Sequence, residues 1–343
     1  MTGEDERALQ DYLRSRLPDA TGPLAVEAFQ GGQSNPTFRL RYGSHSYVLR
    51  KQPEGELLPS AHAIDREYRV ITALGRSDVP VPATHCYCDD RSVIGTPFFV
   101  MEFADGRQFW DPALPEIDPQ ARGALWNDIN SVMARLHKVD YAAIGLGDYG
   151  KPGNYFERQI GRWSRQYRAS ETEPIASMDR LIDWLPGNII GDSDSSIVHG
   201  DFRLDNLVIH PREPRVIAVL DWELSTLGHP LADFSYHAMV WRLTQEQFRG
   251  MAGKDFAVLG IPTEQQYLQA YCRRTGRDAI DASGWEFCLA FSMFRLAAIL
   301  QGIAARALKG TAADAGAAEV GARARAIADV AWRQVESMGR ASR

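Results

Sequence analysis

The sequence predicts an α+β protein with two lobes. Short apolar and alternating segments, typical of strands, dominate the chain up to about residue 103, whereas helical periodicity dominates beyond it. We therefore expect a small N-terminal lobe with an antiparallel sheet, residues 1–103, and a large, mainly helical C-terminal lobe, residues 104–343. A chain of 343 residues is long enough for two such units, at roughly 150 residues per domain.

The N-terminal lobe should contain a hairpin and one helix. Residues 37–42 and 46–51 flank the turn Gly43-Ser44, which is typical of two antiparallel strands. Residues 61–74 carry apolar side chains at helical spacing, and Glu67 lies beside that stripe.

The transition to the C-terminal lobe is predicted at a hinge, residues 104–106. It follows the apolar strand 98–103, which includes Met101. Beyond it, helical patterns cover residues 119–139, 155–169, 175–185, 263–275, 284–308 and 317–337.

Composition is that of an ordinary globular protein, with 45% hydrophobic and 24% charged residues. The net charge of −6 disfavours nucleic-acid binding. The acidic N-terminus lacks the apolar core of a secretory signal, so a cytoplasmic location is expected. The most apolar window, residues 287–300, is short and contains Arg295, which favours a buried helix over a membrane span.

One segment carries most of the chemical information. It places an Asp two residues after a His, and an Asn five residues after that Asp: His199-Gly200-Asp201-Phe202-Arg203-Leu204-Asp205-Asn206. The catalytic loop of kinases has the pattern H-R-D-x-x-x-x-N, in which the Asp receives the substrate hydroxyl and the Asn binds Mg²⁺. The apolar run 216–220 ends at Asp221, which places a second carboxylate at a strand end near this loop.

With Gly200 in place of the kinase Arg, the loop resembles that of the aminoglycoside phosphotransferase family, which has a protein-kinase-like two-lobed fold. The closest branch resembles the kinase-like N-terminal part of acyl-CoA dehydrogenase fusion proteins. Four further segments carry this resemblance: Gly31-Gly32-Gln33-Ser34-Asn35, Val48-Leu49-Arg50-Lys51, Asp221-Trp222-Glu223-Leu224-Ser225-Thr226-Leu227-Gly228 and Phe294-Arg295-Leu296-Ala297.

The resemblance implies an ATP- and Mg²⁺-dependent phosphotransferase that acts on a hydroxyl of a small molecule. Asp201 would be the catalytic base or hydroxyl-orienting group, and Asn206 and Asp221 the Mg²⁺ ligands. His199 and Asp233 would support the catalytic loop structurally. The nucleotide would be held by Gly31, Gly32, Gln33, Ser34, Arg50, Glu67 and Met101.

The cation of the small lobe is ambiguous between two neighbours. Alternation along a strand sends Arg50 and Lys51 to opposite faces, so one of them is expected in solvent. The apolar pair Val48-Leu49 before it favours Arg50 as the phosphate ligand, although the family usually has Lys there. Glu67 is then its expected partner on the helix.

The acceptor is less well defined. Arg158, Arg162, Arg165 and Arg168 lie three or four residues apart, on one side of a predicted helix. Such a stripe is either a solvated cationic face or a site for an anionic acceptor, with Arg158 and Arg162 as candidate ligands. Arg203 either contacts substrate or pairs with Asp205, and the sequence does not separate the two.

The resemblance suggests a hydroxyacyl-CoA as acceptor. An aminoglycoside- or choline-type kinase and a nucleotide-binding module without turnover are the alternatives. A protein kinase is disfavoured because no Ala-Pro-Glu segment follows Asp221. ATP versus GTP and the oligomeric state stay open.

A second phosphate-binding motif is suggested by residues 145–151. They fit the Walker A spacing up to the position where Pro152 replaces the Mg²⁺-binding Ser or Thr. We therefore interpret this segment as a loop.

Overall fold

The computed structural model describes residues 3–29, 35–55, 63–191, 194–310 and 316–341. Its N-terminal part is a five-stranded antiparallel sheet in the order β1-β2-β3-β5-β4, with three helices. The strands are β1 (Leu24–Ala28), β2 (Thr37–Tyr42), β3 (His45–Lys51), β4 (Thr84–Cys88) and β5 (Phe98–Glu102). The helices are α1 (Gly3–Arg14), α2 (Ile64–Leu74) and α3 (Arg91–Ile94). The predicted hairpin and helix are thus confirmed.

The sheet buries both faces, because it separates two hydrophobic clusters. Leu49 and its neighbours on one face pack with Leu9 and Leu13 of α1. Val48, next along the same strand, belongs to the other face, whose cluster includes α2 and continues into the C-terminal helices. Arg50 shares the strand parity of Val48 and therefore lies on the side of the second lobe.

The C-terminal part is mainly helical, with two small two-stranded sheets, β6-β9 and β7-β8. The strands are β6 (Ser196–Val198), β7 (Leu207–Ile209), β8 (Val216–Val219) and β9 (Thr226–Gly228). The helices are α4 (Pro119–Lys138), α5 (Tyr155–Ser170), α6 (Ala176–Trp184), α7 (Pro230–Ala238), α8 (Gln245–Phe248), α9 (Phe256–Leu259), α10 (Glu264–Thr275), α11 (Ala282–Leu308), α12 (Ala317–Ala322) and α13 (Ala324–Ala341).

The last predicted helix is wrong in one respect, since residues 317–337 form two helices rather than one. The helical conformation is interrupted at Arg323, between α12 and α13. Gly321 lies so close to α11 that a Cβ there would be 2.7 Å from the Cα of Ala304. Close approach of α12 to α11 therefore accompanies the interruption.

Helix α11 is the central element of the helical lobe. By length and composition it could cross a membrane, but 83% of its most apolar window is buried inside the protein. Burial of this kind is typical of a core helix. Among the residues that the structure describes, no second helix meets the same criteria.

Two buried histidines in this core titrate far below their usual range. Burial, and then the charge of Arg277, lowers the pKa of His229 to about 4. Burial also lowers the pKa of His237 to about 4. Both imidazoles are therefore neutral in the folded protein at neutral pH.

These histidines should make folding sensitive to mild acid. A group whose pKa is depressed in the folded state contributes stability above its unfolded pKa, here 6.5, and that stability is lost as the pH falls towards about 4. Between pH 6 and 5 each histidine should lower the free energy of unfolding by about 1.4 kcal/mol per pH unit. Urea unfolding followed by circular dichroism measures this slope. His237→Gln should reduce the slope, and the exposed control His45→Gln should not. Equal slopes in the wild type and the two variants would contradict the depressed pKa of His237.

Candidate active site

The catalytic loop connects β6 to β7, and His199 anchors it in the core. His199 is fully buried. Its Nδ1 accepts a hydrogen bond from the backbone N–H of Asp201 at 3.2 Å, so Nε2 carries the proton and donates to the carbonyl of Leu220 at 2.8 Å. His199 thus joins the loop to the residue that precedes Asp221.

The position after this histidine requires glycine. Gly200 has φ +84, and a Cβ there would lie 2.6 Å from the carbonyl oxygen of Leu224. Its own carbonyl accepts a hydrogen bond from Nη2 of Arg295 at 2.5 Å. Steric contact therefore explains why an arginine is absent here, although Arg295, from α11, supplies a guanidinium nearby.

Asp233 braces the loop from α7. Its carboxylate is buried and accepts the backbone N–H groups of His199 at 2.7 Å and Gly200 at 2.9 Å. Nε2 of His137 lies 3.3 Å away. Burial acts to raise the pKa of Asp233, but the hydrogen bonds from the side chain of His137 and the backbone N–H of His199 outweigh it, so the pKa is lowered. The predicted structural positions of His199 and Asp233 agree with this geometry.

The three predicted catalytic and metal-binding side chains lie within one hydrogen-bonded frame. Nδ2 of Asn206 donates to the carbonyl of Asp201 at 2.9 Å and to its Oδ2 at 3.2 Å. The backbone N–H of Leu220 donates to the carbonyl of Asn206 at 2.8 Å, which fixes Asp221 beside the loop. Asp221 has φ 65 and ψ 60, a left-handed conformation that Asp tolerates better than most residues.

The side chain of Arg50 extends from β3 and contacts three carboxylates. Its Nε lies 3.0 Å from Glu67, and its Nη2 lies 2.8 Å from Asp221 and 3.2 Å from Glu223. The expected pair of Arg50 with Glu67 is therefore present. The partner Glu223 was missed, although its position two residues after Asp221 could have indicated it.

This cluster carries excess negative charge. Three carboxylates around one guanidinium sum to a formal charge of −2 when all are ionised. Burial raises the pKa of Glu67 to about 8, against the opposing effect of Arg50. Asp221 is the most accessible of the three, at 34% exposure. Hard oxygen donors with unneutralised charge fit Mg²⁺, which Asp221 and the amide oxygen of Asn206 would hold.

The expectation that Arg50 or Lys51 would lie in solvent is wrong. Lys51 is buried at 6% exposure, and its Nζ pairs with Glu54 at 3.0 Å. The reason is that α1 covers the face of the sheet that strand alternation assigns to Lys51. Arg50 is also largely buried, at 12%.

Of the remaining predicted nucleotide ligands, Met101 lies among the residues that the structure describes. Met101 is buried in the core and pairs with Val48 across β3 and β5, on the same sheet face as Arg50. Gly31, Gly32, Gln33 and Ser34 lie outside the described residues.

Arg203 does pair with Asp205, and it also holds Asp201. Its Nε lies 2.9 Å from Oδ1 of Asp201, and its Nη2 lies 3.3 Å from Asp205. Arg249 adds a second guanidinium 2.9 Å from Asp205. Beside them is a cavity of about 30 Å³, lined in part by Trp110, Tyr236 and Phe248.

Tyr236 was not identified from the sequence. It is buried, and desolvation together with the charge of Asp201 raises its pKa, so its hydroxyl stays neutral beside the Asp201 carboxylate. It follows the brace Asp233 by three residues on α7, a spacing that puts both on one helix face.

Arg158 and Arg162 lie elsewhere, along a groove over α5. Arg158 donates to the carbonyls of Gly153 and Lys151, and Arg162 lies over the ring of Trp163. Among the described residues, neither arginine forms an ion pair or hydrogen bond with Asp201.

Comparison with known proteins agrees with this geometry. The sequence profile of the phosphotransferase enzyme family (APH) matches residues 25–282. Acyl-CoA dehydrogenase family member 10 of Mus musculus is 46% identical over 328 residues, which cover 95% of this chain but 30% of the mouse protein. Acyl-CoA dehydrogenase family member 11 of Rattus norvegicus is 44% identical over 314 residues, which cover 89% of this chain and 40% of the rat protein. The chain thus spans well under half the length of these relatives.

Solved structures give the same result. A Ralstonia eutropha protein described as an aminoglycoside phosphotransferase is 53% identical, with a TM-score of 0.89 over 96% of this chain and 98% of that one. Choline kinase from Cryptosporidium parvum, at 11% identity, has a TM-score of 0.69 over 98% and 97% of the two chains, which supports the protein-kinase-like fold alone. Together, the matched profile and these relatives show that the chain belongs to the aminoglycoside phosphotransferase family.

Proposed function

We propose that this protein is a small-molecule kinase that transfers the γ-phosphoryl group of ATP to a hydroxyl, with Mg²⁺ as cofactor. The observation that carries the proposal is the frame that holds Asp201, Asn206 and Asp221 together and brings Arg50 to Asp221 from the other lobe. A module that binds nucleotide without turnover would not require a carboxylate that orients a hydroxyl next to two metal ligands.

Each side chain has a distinct task in this reaction. Asp201 orients the acceptor hydroxyl and receives its proton as the oxygen bonds to phosphorus and the bond to the leaving ADP oxygen breaks. Arg50, held by Glu67, contributes a fixed positive charge for the phosphates. Mg²⁺, when bound, neutralises charge on the phosphate oxygens. Asn206 and Asp221 are the residues that would hold it.

An anionic acceptor, a hydroxyacyl-CoA, is the substrate class we favour. Arg203 and Arg249 border the cavity beside the catalytic loop. Asp205, the carboxylate in that lining, is neutralised by both of them. Aminoglycosides and choline are cations, which would be better matched by unpaired carboxylates. The names of the similar mouse and rat proteins, which refer to acyl-CoA dehydrogenases, support the same substrate class.

Turnover should depend on Asp201. Asp201→Asn should lower kcat for Mg²⁺-dependent ATP consumption with a hydroxyacyl-CoA by on the order of 10²- to 10⁴-fold, because the amide cannot accept the hydroxyl proton. ATP affinity, measured by calorimetry, should change little. The exposed Asp148, paired with Arg69, supplies the control Asp148→Asn. Full activity of the Asp201 variant would contradict the assigned role, and ATP binding without turnover by the wild type on any hydroxyl acceptor would favour the binding module.

Removal of Arg50 should affect both stability and nucleotide binding. At pH 9, where Glu67 with a pKa of about 8 is ionised, Arg50→Met leaves this buried carboxylate beside two further carboxylates, and loss of one partner of a buried ion pair costs about 3 kcal/mol or more. Urea unfolding measures the loss of stability. The KM for ATP, which should rise, measures the loss of nucleotide binding. The control Arg41→Met removes the ion pair of Arg41 with Glu27, in which both side chains are exposed. It should lower the free energy of unfolding by less than about 1 kcal/mol. An Arg50 variant as stable as this control would show that the pair does not anchor the site.

A further inference from the structure

A second, strongly cationic groove lies away from Asp201. It has a volume of about 810 Å³ and runs over the first half of α5 and the loop before it. Four cations line it, Lys151, Arg158, Arg162 and Arg165, against one carboxylate, Glu157. We call these four residues and their surroundings the cationic groove. Its volume is within the range of small-molecule sites.

The charges of the cationic groove are not neutralised by the protein. Within the described part of the chain, none of the four cations has a carboxylate oxygen within 4.0 Å. Arg168, one turn further along α5, differs because it pairs with Asp179 at 2.6 Å and with Glu171 at 3.4 Å. Of the four arginines of the predicted stripe, Arg168 is thus neutralised by neighbouring carboxylates. Like charges three or four residues apart on a helix are unfavourable without a counter-ion.

The start of α5 adds to the positive potential. Asn154, at the helix N-cap, has φ 48 and makes no side-chain cap hydrogen bond. Beside it, a Cβ added to Gly153 would meet no heavy atom within 4 Å, so this side of the loop is open. Arg158 ties the loop to the helix through the carbonyls of Gly153 and Lys151. The segment that resembles a Walker A loop therefore contributes Lys151 to an anion-attracting helix start.

Helix α5 connects this groove to the catalytic loop. Trp163, next to Arg162 on this helix, is buried, and the guanidinium of Arg162 lies 5.4 Å from its ring. The guanidinium of Arg295 lies 5.5 Å from the ring of Trp163 and donates to the carbonyl of Gly200. The same helix thus presents cations to solvent and supports the residue before Asp201.

We infer that the cationic groove binds the phosphate groups at the nucleotide end of the acceptor coenzyme A thioester, an inference that rests on the proposed function. A planar guanidinium group can donate hydrogen bonds to two phosphate oxygens at once. Arg162 and Arg165 are exposed, so their guanidinium groups can bind phosphate in this way. The hydroxyacyl end would extend to Asp201, and the groove would select acceptors that carry a phosphorylated handle.

Binding of coenzyme A tests the inference without turnover. Calorimetry with Mg²⁺ and a non-hydrolysable ATP analogue present keeps the nucleotide cleft filled, so coenzyme A cannot bind there through its own adenosine. Arg162→Ala combined with Arg165→Ala should raise the Kd for coenzyme A by about tenfold or more. Arg168→Ala on the same helix should leave the Kd unchanged, because Arg168 is already paired. Equal thermal melting of the two variants shows that both are folded.

Two further probes test whether the groove binds the phosphates of coenzyme A. Pantetheine lacks these phosphates, so its Kd should be the same in wild type and double variant. Unchanged coenzyme A binding in the double variant would overturn the inference. Pyrophosphate binding that the double variant loses, without any binding of coenzyme A, would identify a free-anion site and overturn the acceptor assignment.

Kinetics distinguish this inference from the proposed function. With a hydroxyacyl-CoA the double variant should show a raised KM and an unchanged kcat, whereas a hydroxyacyl-pantetheine should give the wild-type KM. Wild-type protein that turns over no hydroxyl acceptor would refute the kinase, while loss of coenzyme A binding in the double variant would still support the groove.

Discussion

The buried carboxylate of Asp233 is the constraint on which the active site depends. A charge at 2% exposure is tolerated only if strong donors satisfy it, and the donors here are the backbone N–H groups of His199 and Gly200, with His137 alongside. Two consecutive N–H groups can point inward only if the chain turns sharply, and Gly200 makes that turn at positive φ. The next residue, Asp201, is then turned out of the core, towards the side where substrate would bind.

From this anchored turn the positions of the candidate metal ligands follow. His199 and Asn206 both hydrogen-bond to the backbone of Leu220, so the end of β8 is fixed to the loop from two directions. Asp221 then leaves the strand in a left-handed conformation, a strain that such bonds can hold in place at a functional site. Arg50 meets it from the other lobe. The two lobes therefore meet at this point through an ion pair that includes a candidate metal ligand.

The sequence predicted what depends on local spacing and failed where distant segments meet. The loop from His199 to Asn206 was predictable from motif spacing, and the pair Arg50–Glu67 was predictable from the resemblance to the family, which places a cation on this strand and a carboxylate on this helix. Burial of Lys51 was not, since it results from α1 covering the outer face of the sheet. The interruption of the last helix at Arg323 likewise lies where Gly321 approaches α11 closely. Pairing of Arg168 with Asp179 involves the following helix, which a pattern within α5 cannot reveal.

Arg203 bears on how Asp201 acts. Oδ2 of Asp201 already accepts hydrogen bonds from Nη2 of Arg203 and Nδ2 of Asn206, and Nε of Arg203 forms an ion pair with Oδ1 at 2.9 Å. An ionised carboxylate offers about four lone-pair positions, so a substrate hydroxyl can bind in addition. A carboxylate that shares its charge with a guanidinium is better suited to orienting a hydroxyl than to removing its proton early. This is sufficient for phosphoryl transfer, whose loose transition state requires little activation of the nucleophile.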